Sequence, residues 1–255
     1  MGLVKCPKCG GSISAHTHNC LHCGFVTNVL DGDKVACPNC GTASSKSVCK
    51  NCNYDIGEYY FEKGCDLLDL GKRAFRSVSK ENESLRNLLI AAKLGQPDAL
   101  NMLGICYRDG IVVKRDEERG LDCLEKAALE DCSMAEFNLA CCYELGKGTK
   151  INYREALKWY IKAARHHNKD AIFNIGNFYM QGYGVNVDYE QAIEWFEKLG
   201  EYDYEAQYCA GICYLNLGLT RQNLIYAEKC FRNGARGDIE DAREKLDFVR
   251  ELLRR

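Results

Sequence analysis

The sequence predicts a mostly α protein: an α/α solenoid of helical hairpins, preceded by a small β module built on cysteine pairs. Three observations lead there. Eight of the 17 cysteines fall between Cys6 and Cys52 as four CxxC pairs. From Ala99 onward, similar segments recur at steps of 36, 36 and 35 residues. Near the C-terminus, Ala242, Leu246, Val249 and Leu253 share one face of a helix whose other face is charged, as a terminal capping helix requires.

The pairs are Cys6/Cys9, Cys20/Cys23, Cys37/Cys40 and Cys49/Cys52. Two CxxC turns facing each other offer a tetrahedron of thiolates, the coordination preferred by structural zinc, so the eight cysteines imply two four-ligand sites. The residue after each pair is Gly10, Gly24, Gly41 or Asn53. Such residues tolerate the positive φ that turns knuckle amides toward sulfur. Pro7 and Pro38 preset the turns. Residues 1–55 therefore resemble a double zinc ribbon, and the resemblance implies two structural zinc ions. The rival is redox chemistry, which usually employs a single pair between a strand and a helix and fits four pairs poorly. His16, His18 and His22 read as surface residues, because each site already has four sulfurs.

Ribbons often hold nucleic acid, but residues 1–56 carry only Lys5, Lys8, Lys34, Lys46 and Lys50 against Asp31, Asp33 and Asp55, with no arginine. Two ions each held by four thiolates would turn even that balance negative. The phosphate-binding term is weak. Across the whole chain the net charge is −2, and no field points to nucleic acid or membrane. No apolar run reaches the roughly 18 to 20 residues that span a bilayer. The nine remaining cysteines lie scattered among apolar residues, which suits buried thiols in a reducing cytoplasm.

After Tyr54 the chain turns helical. A divergent first hairpin is predicted over 57–97, then repeats over 98–133, 134–169, 170–204 and 205–239, and a capping helix over 240–255. The columns of each full repeat are counted from Ala99, Ala135, Ala171 or Ala206. Five residues on stand Gly104, Ala140, Gly176 and Gly211; eight on, Tyr107, Tyr143, Tyr179 and Tyr214. Seventeen on come Asp116, Asn152, Asp188 and Asn223; twenty-one on, Gly120, Ala156, Ala192 and Ala227; twenty-four on, Cys123, Trp159, Trp195 and Cys230. Small residues let two helices approach, and the tyrosine with the tryptophan or cysteine is expected to fill the space between them. Asp or Asn at the seventeenth place is expected to cap the second helix. These columns, best kept in "GYGVNVDYEQAIEWFEK" from Gly182, resemble Sel-one-like repeats, relatives of tetratricopeptide repeats. The loops "GIVV" at Gly110 and "LGLTRQN" at Leu217 depart from the pattern and are expected to differ in shape.

The repeats hold no convergent catalytic set. His166 and His167 read as solvated, and the SxxK matches Ser47/Lys50 and Ser77/Lys80 lack the partner motifs of β-lactam chemistry. The expectation is a non-catalytic cytoplasmic adaptor that binds a protein or peptide on the concave face of its repeats. Asn138, Asn174 and Asn177 are candidate contacts, because an amide can both donate to and accept from an extended backbone. The alternative is a nucleic-acid-binding or translation-associated factor that contacts RNA or DNA through its ribbons.

Overall fold

The computed structural model describes residues 3–5, 12–14, 35–40, 43–68 and 78–254. The chain divides into two compact units, Met1–Ala135 and Glu136–Arg255. Among the described residues, no helix is long and apolar enough to cross a membrane.

The first unit opens with two short antiparallel hairpins. β1 (Leu3–Lys5) pairs with β2 (Ser12–Ser14), with Val4 opposite Ile13, and β3 (Val35–Ala36) pairs with β4 (Ala43–Ser44). Four helices follow: α1 (Ile56–Leu68), α2 (Val78–Lys93), α3 (Pro97–Asp109) and α4 (Glu117–Leu129). Each packs on the next. Gly64 on α1 lies so close to Leu88 on α2 that an added Cβ would stand 2.8 Å from the leucine. The helix α5 (Ser133–Leu145) spans the boundary at Ala135, and the second unit holds the rest of it with α6 (Tyr153–Arg165), α7 (Lys169–Gln181), α8 (Tyr189–Glu197), α9 (Tyr204–Asn216), α10 (Arg221–Arg236) and α11 (Glu240–Arg254). On α11, Ala242, Leu246 and Val249 are buried as the periodicity predicts, and Leu253 packs half-buried on the same cluster.

Capping explains the hairpin boundaries. Asp116, Asn152 and Asp188 each accept a hydrogen bond from the backbone amide three residues on, starting α4, α6 and α8. The fourth repeat departs. Thr220, not Asn223, caps α10, and the Asn223 amide is the donor to Thr220. The "GLTRQN" loop is shortened there, which moves the helix start back by three residues relative to the column. The first helices have caps of their own that the columns did not reveal: Asn168 for α7 and Asp203 for α9.

The seam between paired helices corrects a second expectation. Trp159 and Trp195 are only half-buried, and lysines lie over their outer faces, Lys198 Nζ 3.2 Å and Lys162 Nζ 5.3 Å from the ring centroids. The space between the helices is filled by the next residue along: Leu124, Tyr160, Phe196 and Phe231 are all fully buried. The reason is rotational. A residue four after the small Gly120, Ala156, Ala192 or Ala227 stacks on the same helical face, whereas the residue three after it sits about 100° off its neighbour, toward the edge of that face.

Loop shape gives a third result. Gly110, Gly146 and Gly182 all adopt φ near +70°, and Gly148 and Gly184 repeat it two residues later. In the first copy Val112 holds that second place at φ 57°. The Asp116 amide still bonds the Tyr107 carbonyl at 2.8 Å, as Asn152 does Tyr143 and Asp188 does Tyr179. The expected change of shape at "GIVV" therefore does not occur: the helix ends impose the turn on a residue that adopts it reluctantly.

Candidate metal centre and repeat surface

Cys37 follows β3 directly, and the 38–40 turn leads to Cys40. The amides of Cys40 and Asn39 point at the Cys37 sulfur, opposing the burial that pushes this thiol up to about 11. The second knuckle closes through the Cys49 amide on the Tyr54 carbonyl and the Asn53 amide on the Cys49 carbonyl, both at 2.8 Å. Asn53 adopts φ 56°, the positive value expected of the residue after a pair.

The four sulfurs of Cys37, Cys40, Cys49 and Cys52 lie within 4.8 Å of one another. Cys37–Cys52 and Cys40–Cys49 are each 3.6 Å apart, and no disulfide joins them. A tetrahedron with metal–sulfur bonds of about 2.3 Å has edges of about 3.8 Å, so the spacing and the all-sulfur donor set fit a tetrahedral ion. The other predicted quartet, Cys6, Cys9, Cys20 and Cys23, lies outside the described residues, as do His16, His18 and His22.

Elsewhere the thiols are packing groups. Burial pushes Cys213 up to about 12 and Cys209 and Cys230 up to about 11, far from the range of reactive cysteines. Of the SxxK serines, Ser47 donates its hydroxyl hydrogen to Asp55 at 3.0 Å and so serves the fold. His166 and His167 are exposed, as the sequence implied.

The three candidate asparagines separate. Asn138 on α5 is buried, three residues from Ala135 and four from Cys142, both fully buried. Asn174 and Asn177 on α7 are half-buried. Sequence reasoning missed a cleft of about 290 Å³ lined by residues including Glu197, Gln207, Tyr214, Tyr226 and Lys229. There Tyr214 stacks on Tyr226 at 5.2 Å and donates to Glu197 at 3.2 Å.

Residues 97–132, 133–168, 169–201 and 205–238 each match the Sel1 repeat model, and together they make up more than half of the chain. The chain belongs to the Sel1 repeat family. This Sel1 repeat chain is similar to the solved structure of a protective antigen present in uropathogenic Escherichia coli strains that displays an SLR fold, with 25% identity and a TM-score of 0.66 over 74% of this chain and 40% of that one. It is also similar to a Sel1 repeat protein from Oxalobacter formigenes, with 26% identity and a TM-score of 0.62 over 76% and 73% of the two chains. The Sel1 repeat chain thus spans less than half the length of the E. coli antigen. No curated protein matches it.

Proposed function

We propose that the protein is a non-catalytic adaptor in which Sel1 repeats hold a protein or peptide partner and two four-cysteine centres each hold a structural zinc ion. The observation that carries the first part is the set of four Sel1 repeats, whose α7 leaves Asn174 and Asn177 half-buried, within reach of a peptide backbone. Tandem hairpins bind through many small contacts along successive first helices. The second part rests on the sulfur spacing at Cys37, Cys40, Cys49 and Cys52; the sequence supplies Cys6, Cys9, Cys20 and Cys23 as the matching set. In this reading residues 1–55 are the cysteine module and residues 56–255 the repeats. The free thiols of Cys209, Cys213 and Cys230 suit a reducing compartment such as the cytoplasm.

The test compares full-length protein with the Asn174→Ala/Asn177→Ala variant in affinity capture followed by mass spectrometry, with an RNA-retention arm alongside. Partners captured by the parent and weakened at least tenfold by the variant support the adaptor reading. Equal capture moves the interaction off α7, and salt-sensitive RNA retention that the repeats do not need would replace the reading.

A further inference from the structure

We propose that the centre formed by Cys37, Cys40, Cys49 and Cys52 is the N-terminal cap of the helical stack, so that metal occupancy decides whether α1 and α2 stay packed. This rests on the metal reading given above and adds to it a conformational role. Repeat stacks need a dedicated element at each end, because a terminal hairpin otherwise leaves an apolar face in water.

Here that face belongs to Ile56, Ile90 and Leu94, all buried. What covers them is the knuckle: Val35, Cys37 and Cys49 form one core cluster with these three, and Cys52 and Tyr60 pack at its margin. The opposite side of α2 is already engaged, with Leu85, Leu88 and Ala91 in a separate cluster with Ala99 and Leu103 of α3. The α2 helix is therefore held between the repeat core on one side and the cysteine centre on the other.

The junction with α1 is equally direct. The Ser47 carbonyl, two residues before Cys49, accepts from the amides of Ile56 at 2.6 Å and Gly57 at 3.2 Å. Asp55 accepts from the Ser47 hydroxyl at 3.0 Å and from the Glu58 amide at 2.9 Å, joining the knuckle to the first turn of α1. A Cβ on Gly57 would stand 2.4 Å from Ser47 Oγ, so the contact admits no side chain there.

Within the knuckle, the described hydrogen bonds close the 49–54 turn locally. β3 and β4 are two residues each, and a segment this short with so few apolar side chains does not fold on hydrophobic burial. A metal joining the 37/40 loop to the 49/52 loop supplies the missing free energy, and by linkage the same free energy stabilises whatever the loops cover. Without it, the 37/40 and 49/52 loops are joined at the sulfurs by weak thiol contacts of 3.6 Å where coordination would bind them.

The experiment is hydrogen exchange on reduced full-length protein, zinc-loaded, stripped by chelator, and reloaded with zinc. A Cys6→Ser/Cys9→Ser variant is run in parallel, so that the second centre alone is titrated. Exchange should quicken at least tenfold over Ile56–Leu68 and Leu85–Leu94 on stripping, return on reloading, and stay within twofold over α9 and α10. Zinc leaving with no change in α1 and α2, or with equal acceleration across α9 and α10, overturns the capping role while leaving the metal reading intact. A variant that carries no zinc at all overturns the metal reading itself, and the capping role with it.

Discussion

Phe196 lies so close to Gly176 that a Cβ on the glycine would stand 2.5 Å from the ring's Cε1. Gly211 and Phe231 repeat the relationship at 2.7 Å, and Gly104 and Leu124 at 2.6 Å. The hairpin seam is thus a small residue on the first helix met by a large one on the second.

Gly176→Ala should therefore destabilise, by about 1–3 kcal/mol of overpacking, although alanine is the better helix former by about 1 kcal/mol. The penalty should shrink in a Phe196→Ala background, where the ring is gone. Urea midpoints for the two single variants and the double variant measure that coupling; strictly additive changes would show that the two positions do not touch.

Phe196→Ala should cost about 3–5 kcal/mol, the range for emptying a buried aromatic site, and Trp195→Ala less than half as much. The tryptophan is half-buried, and part of what it loses is the contact with Lys198. A Trp195 variant as damaging as the Phe196 variant would restore the tryptophan to the seam.

Thr220→Ala should cost about 1 kcal/mol through loss of the α10 cap, and Asp188→Ala a similar amount at α8. Thermal midpoints check both. If Thr220→Ala were neutral while Asn223→Ala carried the full cost, the column would be the better guide to the helix start.

Arg232 and Arg250 hold the Glu228 carboxyl below its usual value, through hydrogen bonds of 2.7 and 3.1 Å. A carboxylate with a depressed folded value adds stability above its unfolded value and loses it as pH falls through the folded one. Glu228→Gln should flatten the acid-side loss of stability between roughly pH 5 and 3, and salt should diminish the difference because the groups are near the surface. An unchanged acid limb would assign that loss to other carboxylates.

Reduced protein kept from chelators should carry two zinc ions by elemental analysis. Cys20→Ser should remove one and leave the helical circular dichroism nearly unchanged. Cys49→Ser should remove the other and diminish the helical signal, because Cys49 shares a core with Ile90 and Leu94. Equal and negligible effects of the two variants would make both centres independent of the helices.

Much of the hairpin architecture was legible because its determinants are local. The Asp116, Asn152 and Asp188 caps and the buried face of α11 follow from residue type and spacing within one or two turns. The seam was misplaced by one position because tryptophan draws attention by size, while burial is set by rotation about the helix, which Ala192 and Phe196 satisfy together and Trp195 does not. Thr220 escaped because the column frame assumed a constant loop length. The union of the cysteine knuckle with α2 left no local signal, since Val35 and Ile90 meet only through the tertiary fold.

The paired sizes across each seam bear on how such a chain can be recombined. Ala140 shares its cluster with Tyr160, whereas Gly176 admits no methyl beneath Phe196. A chimera that joined α5 to α8 would set the Ala140 methyl where the ring of Phe196 requires a bare backbone, and the mismatch would lie at the centre of the new hairpin. Whole hairpins carry their own complement with them. Duplication, deletion or grafting that cuts between hairpins preserves every such match, and a cut within one does not, so the heritable module of this protein is the helix pair and not the helix.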